Sequence, residues 1–355
     1  MARPRPDAPR PGDAPPPARP GAEASTPEDR DLDVALRPRR FDEFVGQRRA
    51  VTELGVYLAA ARQRREALDH LLFSGPPGLG KTTLAHLVAR ELEAPLTVTS
   101  GPALERPADL AALLTNLPER GLLFIDEIHR VPRVVQEYLY SGMEDYFIHV
   151  VVDQGPYAKT LRLDLPRFTL IGATTSEGKL SEAFRARFGI RCRLDYYPPE
   201  DLTRILARSA SLLGVELRPD AAEALASRSR GTPRVANRYL RRVRDLAQVK
   251  AGNRITTDVA REGLALLGVD DAGLEEMDRR ILRALIRQGG GPVGLKTLAV
   301  TVGEEEETIE AVYEPFLIQQ GLLQKTARGR CATDRAFRHL GVEPPAPAPG
   351  TESLF

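Results

Sequence analysis

Leu71-Leu-Phe-Ser74 runs directly into Gly75-Pro-Pro-Gly78-Leu-Gly80-Lys81-Thr82-Thr83, and a helical pattern with Leu84, Leu87, Val88 and Leu92 on one face follows. This is GxxxxGK[ST] set between a strand and a helix, the context in which that spacing makes a phosphate cradle. The glycines let backbone N–H groups curl around an anion, and the helix N-terminus adds its positive end. Lys81 is placed to reach β- and γ-phosphates, and Thr82 to ligate magnesium.

Working outward, further short apolar runs occur at Leu96 to Thr99, Leu122 to Ile125, Thr169 to Ala173 and Ile190 to Leu194, separated by helical patterns. With Leu71 to Ser74 they predict an α/β domain whose five parallel strands are flanked by helices. The run ending at Ile125 passes into Asp126-Glu127, forty-five residues beyond Lys81. Carboxylates at the carboxyl end of a neighbouring parallel strand sit in the crevice where ligands bind. There Asp126 is expected in the magnesium shell and Glu127 as the group that polarises an attacking water.

Composition narrows the rest. The 355 residues carry 50 Lys plus Arg against 49 Asp plus Glu, a net charge of +1. A whole-chain basic field is therefore excluded, and any DNA contact must come from local clusters. Two cysteines, Cys192 and Cys331, are too few for a disulfide framework or a Cys-based zinc site. His86, His129 and His149 are separate in sequence, and none has a second ligand at metal spacing. No apolar run approaches the ~18 residues of a membrane span, and the N-terminus lacks a secretory core. A cytoplasmic protein without membrane attachment is the expectation.

Nine prolines in residues 1–31 and four in 342–355 mark both ends as expected disordered tails. Between them, 32–198 reads as the large α/β domain. Residues 199–272 lose the strand signal and read as a small all-helical domain, with Leu202, Ile205, Leu206, Leu240 and Val243 at helical spacing. Residues 273–341 read as three short helices and a hairpin, Leu322 to Thr326 and Arg330 to Thr333, turned at Ala327-Arg328-Gly329: a winged helix.

Gly75 to Thr83, LLFIDEIH (122–129), GATT (172–175), RARFG (185–189) and GTPR (231–234) resemble the AAA+ ATPases. The stretches LRPRRFDEFVGQ (36–47), EDYFI (144–148), RGTPRVANRYLRRVRD (230–245) and PFLIQQGLLQKTARGRCAT (315–333) are closer still to the RuvB family of Holliday-junction branch-migration motors. The resemblance spans about residues 32–341. It implies an AAA+ P-loop domain, a helical lid and a C-terminal winged helix. It places Leu36 and Arg37 at the adenine side and Gly78, Gly80, Lys81, Thr82 and Thr83 at the phosphates. Glu144, Asp145, Tyr146 and Tyr197 also match positions around the nucleotide. Thr174 or Thr175 matches the sensor of the γ-phosphate, Arg234 the sensor arginine of the lid, and Arg187 a finger supplied by a neighbouring subunit. Fixed cations suit the charge that spreads over the transferred phosphoryl oxygens, and a finger in trans ties hydrolysis to the neighbour's position.

The implied partners are DNA four-way junctions, RuvA, RuvC in a resolving complex, and further copies in a homohexameric ring, with ATP and Mg2+ as the ligands. Glu304 to Glu307 open the helix that would enter the major groove and repel phosphate, whereas Lys325, Arg328 and Arg330 make the hairpin the better phosphate contact. Of the basic run on the lid helix, Arg234, Arg238 and Arg241 share a face and Arg242 turns away. Phe147 to Leu165, with Ile148, Val150 and Val152 alternating, resembles the hairpin that engages RuvA. Other readings of the same ATP site are a clamp-loader-type switch, separated by the absence of continuous translocation, and a protein unfoldase, separated by stimulation with polypeptide.

Overall fold

Strands β1 (Leu71–Ser74), β2 (Leu96–Ser100), β3 (Leu122–Asp126), β6 (Thr169–Thr174) and β7 (Ile190–Arg193) form one sheet in the order β2-β3-β6-β1-β7. Strands β4 (Phe147–Val152) and β5 (Lys159–Asp164) stand apart as an antiparallel pair. This computed structural model describes residues 34–152 and 159–344. The two Pro-rich tails and the Gly155-Pro156 tip of the β4–β5 hairpin lie outside the described residues.

All four pairings in the large sheet are parallel, with Leu71 beside both Ile171 and Ile190, and Leu122 beside Thr169 and Leu96. β1 and β6 are buried along their whole length, and β3 up to Asp126, which is why they read as continuous apolar runs. Alternate residues serve opposite faces. Leu71, Phe73, Leu122 and Phe124 join the core under helix Lys81–Glu91, while Leu72, Leu123 and Ile125 join the core under helices Pro107–Thr115 and Arg133–Glu144. Because β3, β6 and β1 are neighbours, the segments leaving their carboxyl ends emerge side by side. Those segments carry Asp126 and Glu127, Thr174 and Thr175, and Gly75 to Lys81.

The lid contains helices Pro199–Leu212, Pro219–Arg228, Pro233–Lys250 and Thr257–Leu266, three of them beginning at a proline whose missing N–H would be unpaired there anyway. It is not purely helical. Two-residue strands β8 (Glu216–Leu217) and β9 (Arg254–Ile255) pair in parallel, a signal too short for periodicity to register.

In the C-terminal unit, helices Glu276–Arg287 and Leu295–Val302 precede a third, Glu306 to Gln319, that passes through a π-helical turn at Ile309–Tyr313. The hairpin β10 (Leu323–Thr326) and β11 (Gly329–Ala332) follows, with Val293 bridging to Arg330 as a short third strand. Leu282, Leu285, Leu298, Phe316 and Leu317 form its core.

Lid and winged helix meet at a charged joint. Arg230 reaches Asp278 at 2.6 Å and Glu275 at 3.5 Å, donates to the Gly273 carbonyl at 3.1 Å, and lies 4.5 Å over the Phe316 ring. Arg238 pairs with the same Glu275, which also accepts from the Tyr239 hydroxyl at 2.8 Å. Asp278 is fully buried, and burial holds its carboxyl up at about 6 even beside Arg230. At Glu275 burial also raises the pKa, but Arg230 and Arg238 together outweigh it and keep that carboxyl below its ordinary value.

Candidate nucleotide and DNA sites

Three glycines with left-handed φ shape the loop: Gly75 at 136°, Gly78 at 78° and Gly80 at 103°. Their need is steric as well as conformational. A Cβ on Gly75 would stand 2.4 Å from the Leu194 carbonyl oxygen, and one on Gly78 would stand 2.7 Å from Thr232 Cγ2 and 3.0 Å from Arg234 Cβ. The loop is thus closed from above by the N-terminal end of helix Pro233–Lys250, which carries Arg234. Lys81 opens the following helix, is buried, and donates from Nζ to the carbonyls of Gly75 and Pro76 at 2.7 and 2.9 Å. Burial lowers its pKa, opposed by the carboxylates of Glu127 and Asp126.

Leu36, Arg37, Gly78, Gly80, Lys81, Thr82, Thr83, Asp126, Glu127, Tyr197 and Arg234, all expected here, line one cleft. Asp126 accepts the Glu127 N–H at 3.0 Å, and burial raises its pKa. Tyr197 is buried, donates its hydroxyl to the Leu79 carbonyl at 3.2 Å and its N–H to Gly231 at 2.9 Å, and so ties loop to lid. Arg208 was missed by the sequence reading. It lines the cleft and holds its N-terminal wall by donating to the Leu36 carbonyl at 2.8 Å and to Glu43 at 2.7 Å. Asn237, also missed, has a buried Oδ1 without a hydrogen-bond partner among the described residues. An unmet acceptor in a cleft wall calls for a donor from a ligand. The hydroxyl of Thr82 and the carboxylate of Asp126 are the hard oxygen donors that magnesium takes.

Thr174 and Thr175 stand behind Glu127 rather than on the cleft wall. Thr175 donates its hydroxyl to Glu127 Oε2 at 2.9 Å, and Thr174 Oγ1 lies 3.0 Å from Nδ1 of His129. Glu127 adopts a left-handed conformation with φ 47°, uncommon for a side-chain-bearing residue and concentrated at functional positions.

Arg187, Glu144, Asp145 and Tyr146 do not line this cleft. Arg187 caps the short helix Glu182–Ala186, pairs with Glu144 at 3.1 Å and lies 4.5 Å over the Tyr140 ring. Tyr146 packs edge-on to Phe168 at 6.0 Å, and Asp145 is exposed beside it. Helix Arg133–Glu144 carries Glu144 to a separate surface that also holds Arg187, so Glu144, Asp145 and Tyr146, expected around the nucleotide, are not on the wall of their own chain's cleft.

The wing also departs from expectation. Arg330 is buried, with Glu314 on its Nε at 2.5 Å and Glu310 on its Nη2 at 2.7 Å, so its charge is spent inside the domain and not on DNA. Lys325 pairs with Glu310 at 2.8 Å. Arg328, at the turn, is exposed and has no carboxylate partner among the described residues. On the β4–β5 hairpin, Ile148 is fully buried in the core and cannot dock a partner. Val150 is half-buried, and its cross-strand neighbour Leu161 is 50% exposed; the side chain of Val152 lies outside the described residues. On the lid helix, Arg238 is taken by Glu275, and Arg242 and Arg244 pair with Asp245.

Residues 36–194 match the family profile described as the Holliday junction DNA helicase RuvB P-loop domain, 197–270 the RuvB AAA lid domain, and 271–341 the RuvB C-terminal winged helix domain. The chain belongs to the RuvB family. It is 56% identical over 330 residues to the Holliday junction branch migration complex subunit RuvB of Myxococcus xanthus, covering 93% of this chain and 96% of that one. The Salinibacter ruber protein of the same name is 56% identical over 319 residues, covering 90% and 93%. Among solved structures, the Thermotoga maritima RuvB Holliday junction branch migration motor superposes with a TM-score of 0.81 at 48% identity, over 88% of this chain and all of that one. Family membership gives residues 36–194 the P-loop domain of a nucleotide-binding ATPase. No helix among the described residues is long and apolar enough to cross a membrane, and none of their acidic, His or Cys side chains form a cluster that would hold a metal unaided.

Proposed function

We propose that this chain is an ATP-hydrolysing motor that drives branch migration of four-way DNA junctions in recombinational repair. It works in the cytoplasm as a hexameric ring with RuvA, and with RuvC when junctions are resolved. The observation that carries this reading is the convergence of β1 and β3 on one cleft, which puts Asp126 and Glu127 opposite Lys81 and Thr82. Residues 32–198 supply the ATPase, 199–272 the lid and 273–341 the DNA-binding unit.

The roles follow from the chemistry. Loop N–H groups and Lys81 hold the phosphates, while Leu36, Arg37 and Tyr197 enclose the base side and Thr83 continues the loop. Thr82 and Asp126 would hold Mg2+, which would offset the negative charge of the phosphates. Glu127 takes the proton of the attacking water, and Thr175 orients that carboxylate. Arg234 stabilises the phosphates from the lid. Arg187, paired with Glu144, faces the nucleotide of the next subunit, as do Asp145 and Tyr146, which follow Glu144 in the chain; this accounts for their place outside the chain's own cleft. At the wing, Arg328 contacts DNA phosphate with Lys325 beside it, giving the sequence-independent grip a translocating motor requires. RuvA docks on the outer part of the β4–β5 hairpin, at Val150 and Leu161.

The test is migration of a synthetic four-way junction with ATP, Mg2+ and RuvA, comparing the native chain with Glu127→Gln and Arg187→Ala. Migration by the native chain, lost in both variants, is expected. Junction binding and ATP hydrolysis without migration by the native chain would overturn the motor in favour of a switch.

A further inference from the structure

His129, which motif reading leaves without a task, closes a contact among residues far apart in sequence. Glu127 Oε2 receives the Thr175 hydroxyl at 2.9 Å and the Thr175 N–H at 3.3 Å, and lies 3.2 Å from His129 Nδ1. The same Nδ1 is 3.0 Å from Thr174 Oγ1, which already accepts the Ser176 N–H at 3.0 Å. The imidazole is 6% exposed, and the ring is absent from the cleft wall. Among the described residues no hydrogen bond reaches Oε1 of Glu127.

The carboxylate calls for a proton on Nδ1. A bare Nδ1 lone pair 3.2 Å from a carboxylate oxygen is repulsive, whereas a proton on Nδ1 makes a charge-assisted hydrogen bond. Burial, the largest influence, lowers the ring's pKa; Lys179 and Arg130 lower it further, while Glu127 and Glu307 of the winged helix oppose. A proton on Nδ1 lies between Oε2 of Glu127 at 3.2 Å and Oγ1 of Thr174 at 3.0 Å.

We propose that His129 is a positioning residue for hydrolysis: its Nδ1–H clamps Oε2 of Glu127 against the Thr174–Thr175 strand end and leaves Oε1 as the oxygen that accepts the water's proton. This rests on Glu127 as the base. His129 acts only through that carboxylate, so its loss should slow the chemical step and spare nucleotide binding. A misplacement of about 1 Å in a reacting group costs on the order of 100-fold in rate.

Steady-state ATPase and ADP binding are to be measured on the full chain for the native protein, His129→Leu, His129→Asn, Glu127→Gln and the double variant Glu127→Gln/His129→Leu. The Asn amide N–H stands near the place of Nδ1–H and serves as the conservative rescue. His129→Leu is expected to lower kcat about 10- to 100-fold while KM and ADP affinity stay within about two-fold. His129→Asn should recover most of the rate, and His129→Leu should subtract nothing further from Glu127→Gln. Native kcat in His129→Leu alongside an inactive Glu127→Gln overturns the role of His129 and leaves the base assignment standing. Near-native kcat in Glu127→Gln removes the base assignment, and the proposal with it. Equal losses in His129→Leu and His129→Asn, with the His129→Leu loss repeated in the Glu127→Gln background, reduce His129 to packing and also overturn it.

Discussion

At Gly78 the phosphate loop and the lid touch with no room for a methyl group. Gly78→Ala would set a Cβ 2.7 Å from Thr232 Cγ2 on a backbone with φ 78°, so loop and lid must separate. Left-handed backbone costs an L-residue roughly 1–2 kcal/mol, and we expect nucleotide affinity to fall about ten-fold or more, as read by titration with a fluorescent nucleotide. Unchanged affinity would show that the lid does not close on the loop through this contact. Lys81, Thr82, Asp126 and Glu127 were legible because each sits in a contiguous motif whose spacing is the chemistry. Arg208, Asn237 and His129 were not. Their relevance arises from packing, as with Arg208 meeting Leu36 across 172 positions of sequence, and no local pattern encodes that.

A single element can hold residues of opposite fate, as the wing hairpin does. The two strands of the hairpin and its turn at Ala327-Arg328-Gly329 were readable, and so was its basic character. The carboxylates that meet it were hidden, because Glu310 and Glu314 come from another element that passes through the π turn. Arg328→Ala is expected to weaken duplex binding uniformly across sequences and to reduce the slope of log affinity against log salt by about one. Arg330→Ala leaves Glu314 buried with only Lys325 at 3.8 Å and should destabilise the winged helix by about 3 kcal/mol in denaturant unfolding. A reversed outcome, with Arg330 governing the salt slope, would reinstate it as a DNA contact. The β4–β5 hairpin teaches the same lesson: the period of two was legible, but which residues faced inward was decided by a core that buries Ile148.

The whole molecule is organised around joints that only tertiary structure reveals. Arg230 and Asp278 sit in different units, and neither belongs to a motif that announces the other. Arg230→Met leaves Asp278 buried beside an apolar chain and is expected to cost about 3–5 kcal/mol, measured by denaturant unfolding. The joint also titrates. Because the Asp278 carboxyl rises from its ordinary value of 3.8 to about 6 on folding, its stabilising contribution is full below the lower value and is lost as pH climbs through the upper one. The melting temperature of the native protein should therefore gain on that of Asp278→Asn as pH is lowered from about 7 to 5. A difference that stays flat over this range would place the titration elsewhere.

The Arg230 joint has a mechanical corollary. The turn through Arg230 leads into the helix that puts Arg234 on the cleft wall, while Arg230 itself is bolted to the first helix of the winged helix through Asp278. A crank keyed to its shaft cannot turn alone. Any rotation of the lid about the cleft carries the winged helix with it, and the arc swept grows with distance from the pivot, so a small angular change beside the phosphates becomes a longer stroke at Arg328.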